Sequence, residues 1–270
     1  MVFTGPGPSS LSVASYNVLC DAYIKPEYYP HCSADDLSPE KRHPRLVDRV
    51  AGLGTDVICL QEVDYAMFER LEKRLRPLGY RGRWAHKGMG KPDGCATFVR
   101  SALRVITDSV LLYDDNANGR NPSGHVALLS VISAHDHREV IVVNTHLKYD
   151  APETPPDLRT GQRQAEELVA KLRDGAQGHL VICGDFNAEE GSAVMNVFAA
   201  YAYQDAHSCA MLPTCVANGR AQKIDAILCC ICTRVEGVST PAIDGATALP
   251  SATEPSDHVP ICATFAAADH

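Results

Sequence analysis

The sequence predicts an α/β fold in one large domain, and three observations carry the prediction. Its 270 residues are 45% hydrophobic and 21% charged, a balance that supplies a sizeable core and does not suit a disordered chain. Short runs of Val, Ile, Leu and Cys recur as buried strands do, at Val57 to Leu60, Val140 to Val143 and Leu180 to Cys183. Between such runs lie segments with apolar residues at helical spacing, so strands alternate with amphipathic helices.

Met1 to Ser10 is rich in Gly, Pro and Ser and has no basic stretch. It reads as a flexible leader, or the cut edge of a longer protein, ahead of a single domain over 11–270. Leu11 to Leu19 alternates as a first strand, with Asn17 near its end. Asp21 to Pro44, dotted with tyrosine, histidine and proline, reads as an irregular loop that walls a cleft. His43 to Leu53 puts Leu46, Val47, Val50 and Leu53 on one helical face. Val57 to Leu60 is a buried strand that ends in Gln61-Glu62. Asp64 is the N-cap of a helix with apolar face Met67, Phe68, Leu71 and Leu75, and Pro77 and Gly79 end it.

Tyr80 to Ala85, Cys95 to Arg100 and Val105 to Tyr113 read as three strands of one antiparallel region, with a turn at Lys91-Pro92-Asp93-Gly94. Asp114 to Gly124 is a polar loop. Val126 to Ile132 and Val140 to Val143 make a hairpin around Asp136-His137, and its second strand ends in Asn144-Thr145-His146. After the proline-rich Tyr149 to Asp157, Leu158, Ala165, Leu168, Val169 and Leu172 mark a helix. The buried run Leu180 to Cys183 meets Gly184-Asp185-Phe186-Asn187. There Gly184 permits a tight turn or a close approach to a ligand, and Asp185 and Asn187 share one side of an extended segment. Val194, Val197 and Phe198 suggest a short helix, Lys223 to Leu228 a strand, and Ser256-Asp257-His258 precedes the last strand, Val259 to Phe265.

A formal net charge of −8 disfavours broad wrapping of duplex nucleic acid. It leaves room for a short single strand or a small phosphorylated ligand, because local fields outweigh the total and bound divalent cations reverse the sign of an acidic cleft. No apolar run approaches the roughly 20 residues of a membrane helix. The cysteine count is 11, an odd number, and Cys59, Cys183, Cys229 and Cys262 lie inside strand-like runs. They read as small buried hydrophobes in a reducing compartment, so a cytoplasmic or otherwise intracellular location is expected. Cys229 and Cys232 form a C-x-x-C, but inside a strand pattern and without a second pair at ligand spacing, which disfavours zinc or redox chemistry there.

The polar residues at strand ends form a set: Asn17, Glu62, Asn144, His146, Asp185, Asn187, Asp225, Asp257 and His258. Strands that end repeatedly in Glu, His and Asp suggest delivery to one rim, where α/β sheets place ligands. The set holds hard oxygen ligands, amides and two histidines, and no nucleophile elbow accompanies it. That chemistry fits metal-assisted attack of water on a phosphoester, with Mg²⁺ neutralising phosphoryl oxygens and a carboxylate deprotonating the water.

The ordered motifs N-V-L (17–19), Q-E (61–62), D-G-C-A (93–96), N-T-H-L (144–147), G-D-F-N (184–187), K-I-D (223–225) and S-D-H (256–258) resemble the endonuclease/exonuclease/phosphatase superfamily. Tyr16 to Asp21, Asp93 to Ala96 and Thr145 to Lys148 are most similar to its carbon-catabolite-repressor type deadenylase, nocturnin, Angel and 2′,5′-phosphodiesterase branch. The resemblance implies a four-layer α/β sandwich, with two mixed β-sheets face to face, helices on both outer surfaces and the site at one end. It also implies roles. Glu62 is the principal Mg²⁺ ligand, with Mn²⁺ able to substitute, and Asn17 beside it holds metal or phosphate. Asp185 orients and deprotonates the water, and Asn187 steadies water and phosphate. His258 stabilises the pentacovalent phosphoryl group, with its tautomer held by Asp225. His146 hydrogen-bonds a phosphoryl oxygen, and Asp257 serves a second metal position or braces the first. Asn144, Asp93, Lys148 and Arg159 complete the substrate-facing rim, Asn144 as an amide that steadies its turn and the two cations as groups that reach phosphates.

The expected reaction is Mg²⁺-dependent 3′-5′ trimming of single-stranded RNA to 5′-mononucleotides. Two other readings stand beside it: a 2′,5′-phosphodiesterase or nocturnin-like phosphatase acting on a small dinucleotide such as NADPH, and a non-catalytic RNA- or protein-binding domain. The expected partners are single-stranded RNA or a small nucleotide, no membrane, and other domains of a longer parent chain. Ala188 to Gly191 lacks the proline of deadenylases, the segment after Asp36 lacks their tryptophan, and Leu212 to Cys215 lacks their aromatic. The base-binding walls are therefore less defined than the catalytic floor.

Overall fold

Alternation along each strand sorts its side chains into two sets, and in this chain both sets are apolar over most of their length. Strands of that kind must be covered on both faces. The computed structural model describes residues 10–115, 122–134, 137–175, 179–209, 212–217, 219–230 and 233–266. In chain order it contains β1 (Leu11–Asn17), α1 (Ala34–Leu37), α2 (Pro39–Ala51), β2 (Val57–Asp64), α3 (Tyr65–Leu75), β3 (Tyr80–His86), β4 (Asp93–Arg100) and β5 (Arg104–Leu112). There follow β6 (Val126–Ser133), β7 (Glu139–His146), α4 (Thr160–Gly175), β8 (His179–Asp185), α5 (Ala193–Ala200) and β9 (Tyr203–Asp205). The chain finishes with β10 (Cys215–Ala217), β11 (Arg220–Gln222), β12 (Asp225–Cys230), β13 (Val235–Ser239) and β14 (Ile261–Phe265).

Two six-stranded mixed sheets form, in the orders β13-β14-β1-β2-β4-β3 and β5-β6-β7-β8-β12-β9, beside a two-stranded β10-β11 ribbon. Val13, Cys59 and Ile261 of the first sheet interdigitate with Val142, Val181, Cys183 and Ile227 of the second in the central core. The opposite face of the first sheet is covered by Leu46, Val50, Met67 and Leu71 of α2 and α3. Ala165, Leu168 and Phe198 of α4 and α5 cover the second. This is the four-layer sandwich implied by the resemblance. Asp64 caps α3 as expected, accepting from Met67 N at 2.7 Å. Among the described residues no helix is long and apolar enough to cross a membrane.

Several expectations change. β5 does not join β3 and β4; it pairs with β6 at the edge of the second sheet. β4 is already paired on both sides, by β2 and β3, so the chain crosses between sheets. Asp93 and Gly94 are not a turn but the start of β4, with Gly94 opposite His86. Gly184 is likewise neither a turn nor a ligand contact: it lies in β8, paired with Thr145, and a Cβ there would sit 2.1 Å from the Thr145 carbonyl oxygen. β12 starts only at Asp225, because the Ile224 and Asp225 amides are taken by Thr214 Oγ1 at 3.2 and 3.1 Å. β14 starts after Pro260, which has no amide proton to give a ladder. β9, β10, β11 and β13 are short and weakly apolar and have no signal in the sequence. Of the leader expected over 1–10, residues 1–9 lie outside the described residues, as do the hairpin-tip residue Asp136 and Cys232 of the C-x-x-C, while Ser10 is buried beside the start of β1.

Arg42 of α2 anchors the loop that follows β1. Buried completely, it donates to Val18 O at 2.9 Å, Leu19 O at 2.8 Å and Pro255 O at 3.1 Å, and it pairs with Asp21. It therefore holds the segments after Asn17 and before His258 together.

Replacing Gly184 by Ala should cost about 3 kcal/mol in equilibrium denaturation, because the atom it meets is backbone. Gly237→Ala, where a Cβ meets nothing within 4 Å, should change stability by less than about 0.5 kcal/mol.

Candidate active site

The inter-sheet core turns polar at one end for a reason of period. Leu11, Val13 and Asn17 are two or four residues apart on β1, as are Val140, Val142, Asn144 and His146 on β7, and Val181, Cys183 and Asp185 on β8. Each series faces the gap between the sheets and ends in a polar side chain. β1 runs parallel to β2, and β7 to β8, so the carboxyl ends of all four strands lie at this end. The antiparallel strands β12 and β14 bring their starts there, with Asp225 opposite Asp185.

Asn17 joins the two sheets. Its side-chain amide donates to Asp185 Oδ2 at 2.9 Å and to Glu62 Oε1 at 3.1 Å, while its Oδ1 accepts from Leu19 N at 3.0 Å. Glu62 also accepts from Cys20 N at 2.9 Å. A register shift in β2 between Leu60 and Val63 places Glu62 at φ +58°, and Asn187 sits at φ +50°. Both are left-handed conformations that a non-glycine residue adopts at a cost of order 1–3 kcal/mol, and such strain concentrates at functional sites. The turn at Asn187 takes it out of the extended path expected after Asp185. Its side chain nevertheless returns to the site, donating to Leu147 O at 2.9 Å, and its backbone amide donates to Asp185 Oδ1 at 2.8 Å.

Two histidines flank Asp185. His258 Nε2 lies 3.7 Å and His146 Nε2 3.6 Å from Asp185 Oδ2. His258 Nδ1 is 2.8 Å from Asp225 Oδ2. Burial opposes a charged ring at His258, yet Asp225 and the adjacent Cys215 outweigh it and hold the imidazolium well above the ordinary histidine value. His146 is pushed the other way, by burial and by Lys87, and is neutral. Lys87 Nζ donates to His146 Nδ1 at 3.1 Å and pairs with Asp93 Oδ2 at 2.6 Å. Asn187 Nδ2 stands 3.0 Å from His146 Nε2, so a donor group faces each nitrogen of this ring. Tyr23 OH donates to the other Asp93 oxygen at 2.7 Å.

The structure brings Asn17, Glu62, His146, Asp185, Asn187, Asp225, Asp257 and His258 together. Asp257 receives Tyr29 OH at 2.9 Å and lies 4.0 Å from His258 Nε2. Asn144 is a correction. It is completely buried between the sheets, accepts from Gln61 Nε2 at 2.8 Å, and donates to Leu60 O and Ala96 O at 3.1 and 2.9 Å. It ties the sheets together and does not face substrate. Asp93, also fully buried, acts through Lys87 and Tyr23 instead of meeting substrate directly. Lys148 is exposed at the rim, and Arg159, donating to Thr154 O at 3.1 Å, lines a cavity next to Asn187. Asn17 offers its NH₂ group to two carboxylates, so here it positions ligands.

Lys87, Tyr29 and Thr214 are site residues outside the motifs, and Ser256 stands in the S-D-H motif without an expected role. Ser256 Oγ donates to Asn17 O at 2.7 Å, and Thr214 Oγ1 fixes the start of β12. Lys87 follows a strand whose alternation would have put it on the inner face one position after His86, but nothing local marks it as buried.

The donor set fits a hard divalent cation. Burial, with Asp257 adding to it, raises the Glu62 carboxyl above its ordinary value. Burial and Asp225 raise Asp185 to about 7. Asp225 Oδ1 is buried without a partner. Crowded carboxylate oxygens of this kind are the environment that Mg²⁺ or Mn²⁺ relieves. On the other side of His146, Lys91 is pushed down by burial and by Lys87, and Lys87, Lys91 and Lys148 all act on buried His125. One side of the site is thus anionic and the other cationic.

A raised carboxyl at Asp185 contributes stability below the unfolded value of about 4 and loses it as pH climbs towards 7. Without divalent ions, Asp185→Asn should therefore melt higher than wild type at pH 8, and the gap should shrink at pH 5. Mg²⁺ should raise the melting temperature of wild type and leave Glu62→Ala unmoved; differential scanning calorimetry reads both.

The sequence profile of the Endonuclease/Exonuclease/phosphatase family matches residues 14–258. The Ccr4 exoribonuclease subunit of the CCR4-Not complex from Yarrowia lipolytica is 26% identical over 70% of this chain and 34% of its own. Protein angel homolog 2 from Bos taurus is 31% identical over 67% of this chain and 35% of its own. The chain thus spans about a third of the length of the curated relatives it matches. The solved structure of ANGEL2, described as a 2′,3′-cyclic phosphatase, superposes with a TM-score of 0.77 at 20% identity over 95% of each chain. The human nocturnin catalytic domain does so at 0.73 and 23% identity over 96% of this chain and 93% of its own. With the fold, the strand-end cluster and the profile in agreement, this chain belongs to the Endonuclease/Exonuclease/phosphatase family, whose members hydrolyse phosphoesters.

Proposed function

We propose that this chain is a Mg²⁺-dependent phosphodiesterase that trims single-stranded RNA from its 3′ end and releases 5′-mononucleotides. One observation carries the reading: a buried carboxylate, Asp185, raised to about 7, stands within 3.7 Å of two histidines, one charged and one neutral. Asp185 is placed to take the proton of an attacking water, and its elevated value makes it a competent base near neutrality. The His258 imidazolium, fixed by Asp225, donates to a phosphoryl oxygen as negative charge builds. Neutral His146 lines the same phosphoryl position, with Lys87 at Nδ1 and Asn187 at Nε2 holding the ring in place. Asn187 and Asn17 orient Asp185 from both sides.

Glu62, with Asp185 and Asp257 in reach, would hold Mg²⁺, which supplies charge neutralisation at the phosphate and the leaving oxygen. Lys87, Lys91 and Lys148 form a local positive field in a chain of net charge −8, which favours an anion at this point. The cavity next to Asn187, about 290 Å³ and lined by Tyr149, Arg159, Glu189 and Arg220, has room for one nucleoside. That single-nucleoside size also favours a second reading, removal of phosphate from a small dinucleotide such as NADPH. Similarity to Ccr4 supports RNA trimming, and the Angel and nocturnin likenesses keep the smaller substrates in the comparison.

Labelled oligo(A), oligo(C), 2′,5′-oligoadenylate and NADPH, incubated with Mg²⁺ or Mn²⁺, test the reading. The expected result is stepwise shortening of 3′,5′-linked RNA with 5′-mononucleotide product; intact RNA with phosphate release from NADPH selects the second reading. Asp185→Asn and His258→Ala should each lower kcat by about 10²–10⁴-fold. The rate with Mg²⁺ should rise with pH as Asp185 loses its proton, with a midpoint below the metal-free value of about 7 because the cation favours the carboxylate, then fall at high pH as His258 loses its own.

A further inference from the structure

Cys215 puts a soft donor against a site otherwise built from oxygen and nitrogen. An isolated antiparallel bridge joins Cys215 to His258. On either side of it, Val216 N donates to Asp257 O and Val259 N to Thr214 O, both at 2.8 Å. This short ladder sets side chains from two distant segments side by side. One ligand atom each from Cys215, Asp257 and His258 lies within 4.8 Å of the others, and all three residues are buried. With Zn–S and Zn–N bonds of about 2.3 and 2.0 Å, tetrahedral ligands stand roughly 3.5 Å apart, so a contraction of about 1 Å would close the triangle.

The surroundings are also those of a metal-binding histidine. Its Nδ1 is held by the Asp225 carboxylate at 2.8 Å, which leaves Nε2 for an ion, and Asp257 is steadied by Tyr29 OH at 2.9 Å. Carboxylate–histidine–metal arrays use this partner to fix the ring. A thiolate, an imidazole and a carboxylate select a borderline-soft cation, whereas Mg²⁺ prefers oxygen alone.

We infer that Cys215, Asp257 and His258 form a binding site for a thiophilic divalent cation of the Zn²⁺ class, and that filling it switches the enzyme off by capturing His258. The thiol and the imidazolium each release a proton to solvent as the ion binds, and no bond to carbon changes. The inhibitory half of the inference rests on the role proposed for His258; the binding half does not.

The probe is Cd²⁺ or Co²⁺, titrated into the full chain carrying Cys32→Ser and Cys209→Ser to remove two more accessible thiols. A thiolate-to-metal charge-transfer band that saturates at a single equivalent is expected, and Cys215→Ser should abolish it while the metal-free melting curve stays in place. Cys215→Ala serves if the serine hydroxyl disturbs the buried position. With excess Mg²⁺ present, Zn²⁺ should inhibit hydrolysis, and the Cys215 variant should need at least about tenfold more Zn²⁺ for the same effect. A band that survives removal of the Cys215 thiol, or no band at all, overturns the inference, as does inhibition unchanged in the variant. A band that depends on Cys215 in a chain that hydrolyses nothing with Mg²⁺ overturns the proposed function and leaves the cation site standing.

Discussion

Two hydrogen bonds from one amide hold the site together: Asn17 on the first sheet donates to Asp185 on the second and to Glu62 beside it. Each sheet supplies half of a reaction centre, so the centre exists only while the sheets keep their spacing and register. The apolar core fixes the spacing through Val13, Cys59, Val142 and Val181. The polar end must then satisfy its own buried groups, since each one left unpaired costs about 1–3 kcal/mol. Gln61 and Asn144 make a second inter-sheet tie, and Ser256 secures the His258 loop to the Asn17 backbone. Arg42 does the same from behind, through carbonyls on both loops.

Charge is divided across this end. Glu62, Asp185, Asp225 and Asp257 crowd one side, and Lys87, Lys91 and Lys148 gather on the other, with His146 between. Burial first, and neighbouring carboxylates second, raise the carboxyls of Glu62 and Asp185, so the apo protein carries electrostatic stress that a cation on one side and a phosphate on the other would relieve. Left-handed backbone at Glu62 and Asn187 adds conformational stress in the same place. Stability is thus given up where binding can return it, as expected of a site that must hold its groups ahead of substrate. Asp225 couples the two demands, since the carboxylate that holds His258 in place also raises Asp185.

The motifs announced most of the chemical groups because a buried strand that ends in Glu, His or Asp contradicts its own apolar pattern. What they did not announce were groups recruited from segments without pattern. Lys87 follows an edge strand and looks like any solvated lysine until Asp93 and His146 close around it. Tyr29 lies in a long irregular loop, and Cys215 in a three-residue strand. Asn144 carried a motif and a signal of function, yet its role is to lock the sheets, because period two turns it inward two residues before His146. The glycines were misread for the same reason: Gly94 and Gly184 answer to a neighbouring strand's carbonyl, a contact that local sequence does not contain.

By itself, then, the sequence determined the strand cores, the amphipathic helices and the identity of the groups at strand ends, because periodicity and burial are local properties of a chain. Only the tertiary structure decided that β5 crosses to the second sheet, that two histidines flanking Asp185 differ in charge, and that a thiol stands against His258. Those outcomes depend on which distant residues share a low-dielectric space, and proximity across the chain is set by packing, not by spacing along it.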